Sequence, residues 1–251
     1  MIARQGIDDT SYKIIAPYYD WIMTHVDYDV WTEYLRSLWK KHHIRPKTVL
    51  ELGAGTCNFM MAGLYSSSMR VIFTDLSWYM LLQAKGKAEV RCAAVNALSL
   101  PFTGTFDVCL MLYDSINYLR SADDLEQCLK EVHRVLAENG VFIFDVTTEF
   151  NSRTFFGDSL ECEEREDCAV IRHSWYDRKA KLQGNDFLYF IQDTDSRYVR
   201  FEESHRQRVY SIAEIKAVIR RTEFKLLGYY ENFGFKTADN RSERIHYVLQ
   251  K

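Results

Sequence analysis

Apolar positions recur at two different periods along this chain, and the change of period divides it. Over residues 12–43, Tyr12, Ile15, Tyr19, Ile22, Trp31, Leu35 and Leu38 fall at helical spacing, which predicts two helices broken near Val26–Asp27. Five short β-rich runs follow: Thr48–Leu52, Val71–Thr74, Val90–Val95, Phe106–Leu112 and Val141–Val146. They are mostly continuous rather than alternating, as strands covered on both faces by helices are. Helical stretches separate them. The clearest, Ala122 to Ala137, puts Leu125, Cys128, Leu129, Val132, Val135 and Leu136 on one side. Ser121 with Asp124 reads as a capping box at its start, and Asn139–Gly140 as its stop. This rhythm implies an α/β chain with a doubly wound, mostly parallel sheet.

The rhythm changes after Glu149. Residues 169–176, 182–192 and 198–209 read as three antiparallel strands joined by turns at Asp177–Ala180 and Asp193–Ser196. The third alternates, with Val199, Phe201, His205 and Val209 on one face and Arg200, Glu202, Arg206 and Arg208 on the other. A helix opened by Ser211 and Glu214 follows, then strands at Phe224–Tyr230 and Ile245–Leu249, which bring the main sheet to seven. The expected organisation is a core of residues 1–150 and 211–251 and an antiparallel β insertion of residues 151–210. That insertion leaves the sheet at its carboxyl edge, so it is expected to cover the substrate pocket and to join two subunits as a homodimer. The acidic stretch Glu161–Asp167 reads as a solvated loop face, and Arg206–Arg208 as paired surface charges or a contact for an anionic substrate.

Composition narrows the function classes. The chain has 251 residues, 47% of them hydrophobic, enough for a sizeable core. A net charge of −3 argues against broad nucleic-acid binding, which needs many cations on phosphates. The opening MIARQGIDDTSYK lacks the apolar centre of a signal peptide, and no apolar run approaches the roughly 20 residues that span a bilayer. The expectation is a soluble, cytoplasmic protein. Its six cysteines form no CxxC pair and no metal site; Cys162 and Cys168 are the pair a disulfide could join.

The most informative segment is Val49-Leu50-Glu51-Leu52-Gly53-Ala54-Gly55-Thr56-Cys57-Asn58, a strand ending in an acid and a glycine turn leading to a helix. A dinucleotide site wants a third glycine to seat diphosphate, and here that position is Asn58. Glu51 would repel phosphate but suits a cationic amino-acid moiety. Asp75 lies 20 positions after Gly55, the spacing of a ribose-binding acid, although a cap on the next helix would also place it there.

Taken with Thr74-Asp75-Leu76-Ser77, Asn96-Ala97-Leu98-Ser99-Leu100-Pro101-Phe102, Phe106-Asp107-Val108 and Asn139-Gly140, this segment resembles class I S-adenosylmethionine-dependent methyltransferases over about residues 45–147. The fold this implies is Rossmann-like. A narrower resemblance, in Tyr113-Asp114-Ser115-Ile116-Asn117-Tyr118-Leu119, Ala16-Pro17-Tyr18-Tyr19-Asp20 and Glu243-Arg244-Ile245, is to a bacterial small-molecule group carrying Asp-Ser-Xaa-Asn-Tyr-Leu after strand four. The resemblance implies that Tyr19, Glu51, Gly53, Ala54, Gly55, Asp75, Leu76, Asn96, Ala97 and Tyr113 hold S-adenosylmethionine. Cys57 stands where the family has a third loop glycine and would narrow the pocket. Asn96 stands where it has an Asp facing the adenine amino group; Asn keeps one acceptor there.

Methyl transfer from a sulfonium needs alignment above all, and a base for oxygen or carbon acceptors more than for an amine already neutral. Tyr113 and His205 are the catalytic candidates. Asp114, Asn117, Tyr118 and His205 are the substrate-site candidates, against a plainer reading in which residues 115–118 cap a short helix and His205 is a satisfied core residue. The expected reaction is transfer to nitrogen or oxygen of a small molecule. Alternatives are an RNA or protein methyltransferase, a non-catalytic binder of the same cofactor, and a nicotinamide-dependent oxidoreductase.

Overall fold

A computed structural model describes residues 12–251. After a single 3-10 turn at Ala16–Tyr18, the elements run α1 (Tyr19–Ile22), α2 (Tyr28–Lys41), β1 (Thr48–Leu52), α3 (Asn58–Met61), β2 (Arg70–Asp75), α4 (Trp78–Lys87), β3 (Cys92–Ala94) and β4 (Phe106–Met111). A second 3-10 turn, Ser115–Tyr118, leads to α5 (Ala122–Val135), β5 (Leu136–Thr147) and α6 (Glu149–Phe155). Then come β6 (Asp158–Arg165), β7 (Cys168–Asp177), β8 (Leu182–Gln192), β9 (Tyr198–Arg208), α7 (Ile212–Ile219), β10 (Lys225–Glu231) and β11 (Arg244–Gln250).

The main sheet has seven strands in the order β10-β11-β5-β4-β1-β2-β3, with β11 alone running opposite to the other six. The continuous apolar runs resolve into two faces. Val49, Val108, Leu110, Val141 and Ile143 pack with Trp31, Leu35, Leu38 and Trp39 of α2. Leu50, Cys109, Met111, Phe142 and Phe144 pack with Leu125, Leu129, Val132 and Val135 of α5 and Ile215 and Val218 of α7. Burial on both sides is why neither face of these strands alternates with polar residues. Asp107 of the Phe-Asp-Val run accepts from the backbone N–H groups of Lys47 (2.9 Å) and Thr48 (2.8 Å), fixing where β1 enters beside β4.

Two boundaries differ from the sequence expectation. Helix α5 ends at Val135 and Leu136 already pairs with Phe106, so Asn139–Gly140 is not a helix stop but a bend inside β5. Asn139 has φ +62°, and a Cβ on Gly140 would lie 2.7 Å from the Ala137 carbonyl oxygen. The Ser121 hydroxyl accepts from Asp124 N–H (3.0 Å), one half of the expected box, whereas Ser211 and Glu214 make both halves at α7.

The second sheet has four antiparallel strands, β6-β7-β8-β9, rather than three. The added strand β6 contains Glu161–Arg165, most of the stretch read as a loop, in continuous register with β7 from Asp158↔Trp175 to Arg165↔Cys168. It is exposed on almost its whole length, so it carries no apolar period by which sequence reveals strands. Cys162 faces Ile171 and Cys168 faces Arg165 across this ladder, and all six cysteines are free. Among the described residues no helix is long and apolar enough to cross a membrane.

Candidate active site

The carboxyl ends of β1, β2 and β4 open onto a cavity of about 300 Å³, whose far wall is the inner face of the second sheet. On the β1 side, Gly53 (φ +66°) and Gly55 (φ +56°) turn the chain in the left-handed region that glycine adopts without steric cost. A Cβ on Gly53 would lie 2.8 Å from the Ser115 hydroxyl oxygen, so the loop needs glycine for space as well. Cys57 takes the same conformation (φ +60°) at the start of α3, which costs a non-glycine residue of order 1 kcal/mol. Its thiol is fully buried with Phe73 and Ala84 and does not line the cavity. The expected narrowing of the pocket by Cys57 is therefore corrected: the side chain points into the sheet–helix core.

Asp75 ends β2 inside the cavity lining, where it accepts from Gly55 N–H (2.9 Å) and Ser77 N–H (2.8 Å). Burial pushes its carboxyl up to about 6, against the pull of these backbone donors. The N-cap of α4 is Ser77, not Asp75. Leu76, Asn96 and Ala97 line the same end, with Asn96 Oδ1 accepting from Leu98 N–H (2.9 Å). Ala54 and Tyr19 also face the cavity. Glu51 does not reach the lining. It is buried, accepts from the Tyr65 hydroxyl, and is pushed up to about 7 by burial.

After β4 the backbone takes two successive left-handed residues, Tyr113 (φ +55°) and Asp114 (φ +49°), an arrangement that costs of order 1–3 kcal/mol per residue. It turns both side chains into the cavity. Arg244 holds the turn in place: its guanidinium pairs with Asp114 (2.8 Å) and Asp145 and lies over the rings of Tyr113 (4.9 Å) and Trp31 (5.2 Å). Asp145 is fully buried, which pushes it up to about 6 despite this cation. Tyr118 lines the cavity, with its hydroxyl 2.6 Å from that of Tyr12 and 3.3 Å from His205 Nδ1. His205 projects inward from β9, as its strand parity predicts.

Asn117 is a correction. It is fully buried and absent from the lining; its Nδ2 donates to the Arg208 carbonyl (2.7 Å) and its Oδ1 accepts from Thr147 N–H (3.1 Å). Both ends are spent joining the turn to β9 and β5, so it cannot meet a substrate.

Sequence reasoning missed a polar set. Arg172, Gln183, Asn185 and Gln207 line the cavity from the second sheet, and Gln207 donates to Asp114. A signal was present: Glu203 and Gln207 share the inward parity of His205, and polar residues on an inward face mark a site. Asp20 was also missed as an anchor. It accepts from Thr56 (2.6 Å) and Asn58 (3.0 Å) and pairs with Lys87 (2.5 Å), tying α1 to the glycine turn.

A doubly wound sheet with β11 reversed, a glycine turn after β1 and a carboxylate after β2 define a class I S-adenosylmethionine-dependent methyltransferase. Comparison with known proteins agrees. A profile of the methyltransferase domain matches residues 49–140. The YqeM protein of Bacillus subtilis strain 168, named as a candidate methyltransferase, is 30% identical over 96% of this chain and 97% of its own length. The S-adenosylmethionine-dependent methyltransferase of Clostridium acetobutylicum ATCC 824 superposes with a TM-score of 0.80, at 25% identity, over 95% of this chain and 98% of that one. The sugar N-methyltransferase KedS8 of Streptoalloteichus sp. ATCC 53650 shares the fold at 17% identity, with a TM-score of 0.74 over 92% of each chain. The chain belongs to the S-adenosylmethionine-dependent methyltransferase family, and S-adenosylmethionine is its cofactor.

Proposed function

We propose that this enzyme methylates a nitrogen or oxygen of a small polar molecule, within the bacterial group that carries Asp-Ser-Xaa-Asn-Tyr-Leu after strand four. The observation that carries the reading is one continuous cavity, running from the glycine turn and Asp75 to the polar inner face of the second sheet. The cofactor end is Tyr19, Gly53, Ala54, Gly55, Asp75, Leu76, Asn96, Ala97 and Tyr113. There the Asp75 carboxylate would accept from ribose hydroxyls, Asn96 Oδ1 would accept from the adenine amino group, and the bare glycine backbone would admit the amino-acid part. The bound cofactor supplies an electrophilic methyl group on sulfur. The acceptor end is Asp114, Tyr118 and His205, with Gln183, Asn185 and Gln207 beside them. Exclusion of water there keeps nucleophile and methyl carbon aligned.

The insertion of residues 151–210 is the cover of the acceptor, and 1–150 with 211–251 form the cofactor-binding core. Solved relatives of the same fold include a sugar N-methyltransferase and an amino pentose methyltransferase, which supports a small-molecule acceptor. Two copies would pair through the outer face of the second sheet, where Leu160 is 68% exposed. The test is release of S-adenosylhomocysteine with panels of small amines and alcohols, set against RNA and protein fractions. Turnover confined to RNA or protein would refute the small-molecule reading.

A further inference from the structure

Building on the acceptor site just proposed, we infer that Tyr118 and His205 form a two-step proton relay, and that Glu203 is the positioning residue that makes it work only when residues 12–15 are docked.

The inner face of the second sheet carries Arg172, Phe187 and Glu203 in one row and Ser174, Asn185 and His205 in the next. Glu203 is the unusual member, a carboxylate on an inward face with its side chain only 10% exposed. It is fully employed: Oε1 accepts from Tyr12 N–H (2.7 Å), and Oε2 from Ile14 N–H (3.2 Å) and Ile15 N–H (3.3 Å). Three backbone donors fix the plane of the carboxylate. Held so, Oε1 stands 2.9 Å from His205 Nε2. A carboxylate at that distance favours a proton on Nε2 by charge, and so leaves Nδ1 as the bare acceptor. Nδ1 faces the Tyr118 hydroxyl at 3.3 Å, and Tyr118 in turn meets Tyr12 at 2.6 Å. Both tyrosines and His205 line the cavity, with His205 nearly enclosed and the Tyr12 ring 4.5 Å from its own.

The geometry assigns the order. The acceptor's lone pair forms the bond to the methyl carbon, and the carbon–sulfur pair stays on sulfur. The acceptor's proton passes to Tyr118 Oη as the proton of Tyr118 passes to His205 Nδ1, leaving an imidazolium beside the Glu203 carboxylate. Burial holds the Tyr118 phenol well above its ordinary range, so it rests protonated and works as a conduit rather than as a phenolate. Tyr12 belongs to the segment that Glu203 grips, so the relay and its orienting carboxylate are assembled by the same docking.

The relay has a readout that needs no acceptor: the protonation of the His205 ring nitrogens, read by nitrogen-15 NMR on the protein saturated with S-adenosylhomocysteine. The parent is expected to show a proton on Nε2 and a bare Nδ1. Glu203→Gln, close in shape, is expected to mix the two tautomers while thermal melting shows it folded. With an acceptor found by the amine and alcohol panel, His205→Gln and Tyr118→Phe should each lose about a hundredfold or more in kcat while keeping cofactor affinity. A proton on Nδ1 in the parent, or an unchanged tautomer in folded Glu203→Gln, overturns the inference. If S-adenosylhomocysteine fails to bind, the fault lies instead with the functional reading. Should Glu203→Gln not fold, Tyr12→Phe, which removes only the hydroxyl contact, is expected to leave the tautomer as in the parent and lower kcat; full kcat would overturn the role of Tyr12.

Discussion

The two sheets of this enzyme use the same backbone ladder for opposite ends. The main sheet is apolar on both faces: Val49, Leu50, Leu110, Phe142 and Ile143 are all fully buried. The second sheet has one inward face, and that face changes character along its length. Val170, Phe187 and Tyr189 pack against Ile15, Tyr18 and Ile22, while Asn185, His205, Gln183 and Gln207 turn to the cavity. A sheet wrapped by helices puts its energy into stability. A sheet with one free face can give its inner side chains to a ligand, at the cost of leaving an edge such as β6 in water. Charged Glu161, Glu163 and Glu164 on that edge discourage further strand pairing.

The contrast is sharpest where the sheets meet, at Arg244. The largest effect is expected from Arg244→Ala, which leaves Asp114 and the buried Asp145 without their cation. Breaking a buried pair from one side costs roughly 3–5 kcal/mol. Urea unfolding measures it, and a loss under about 1 kcal/mol would mean that water already shields these charges. Within the sheets, Leu110→Ala should cost about 2–5 kcal/mol from lost burial and the cavity left behind. Val199→Ala, at a side chain 40% exposed on β9, should stay within about 0.5 kcal/mol. Equal costs at the two sites would erase the distinction.

The same contrast explains what the sequence disclosed. Strands β1 and β4 were legible almost to the residue because their burial requires unbroken apolar runs between turn signals. The glycine turn and Asp75 were legible because strand ends, glycines and an acid at fixed spacing mark the carboxyl edge of such a sheet, where the structure places them in the cavity lining. Strand β6 was not legible, since exposure on nearly its whole length leaves the side chains free of any period. Arg244, Asp145 and Glu203 were missed for another reason. Their sequence neighbours do not point to their partners, and only the fold brings these close, across 31 positions from Asp114 to Asp145 and 130 to Arg244. Asn117 misled because its motif sits at a sheet edge where ligands bind, while its amide is spent on the backbone.

The main sheet also buries an acid, with no cation beside it, at Glu51. Glu51 is fully buried and raised from 4.5 to about 7. The folded state therefore keeps a proton that the unfolded chain gives up above pH 4.5. Its contribution is fully present below the unfolded value and is lost as pH rises to about 7. Glu51→Gln cannot ionise, so its stability relative to the parent should be level near pH 4 and grow to roughly 3 kcal/mol by pH 8. Urea titrations across that range check it; a constant difference would show that Glu51 is hydrated. A smaller effect is expected at Asp75, which lines the cavity and is proposed to bind the cofactor. Asp75→Ala should weaken S-adenosylhomocysteine by about 1.5–3 kcal/mol, roughly tenfold to a hundredfold, with thermal stability of the free protein changed less. Calorimetry decides, and unchanged affinity would leave Asp75 as a brace for the glycine turn alone.

The smallest effect on folding is expected at Leu160, on the outer face of β6. The side chain is 68% exposed and pairs across the ladder with His173, itself exposed, so little apolar contact is lost when it changes. Leu160→Lys should therefore shift stability by no more than about 0.5 kcal/mol. Its effect on assembly is a separate matter. If two copies pair through the second sheet, this leucine is desolvated in the dimer, and a lysine there must either stay in water or lose its hydration. Sedimentation over a wide protein range should then show the parent as a dimer and Leu160→Lys as a monomer, with cofactor affinity the same in both. A parent that is monomeric throughout, or a variant that stays dimeric, removes the second sheet from assembly.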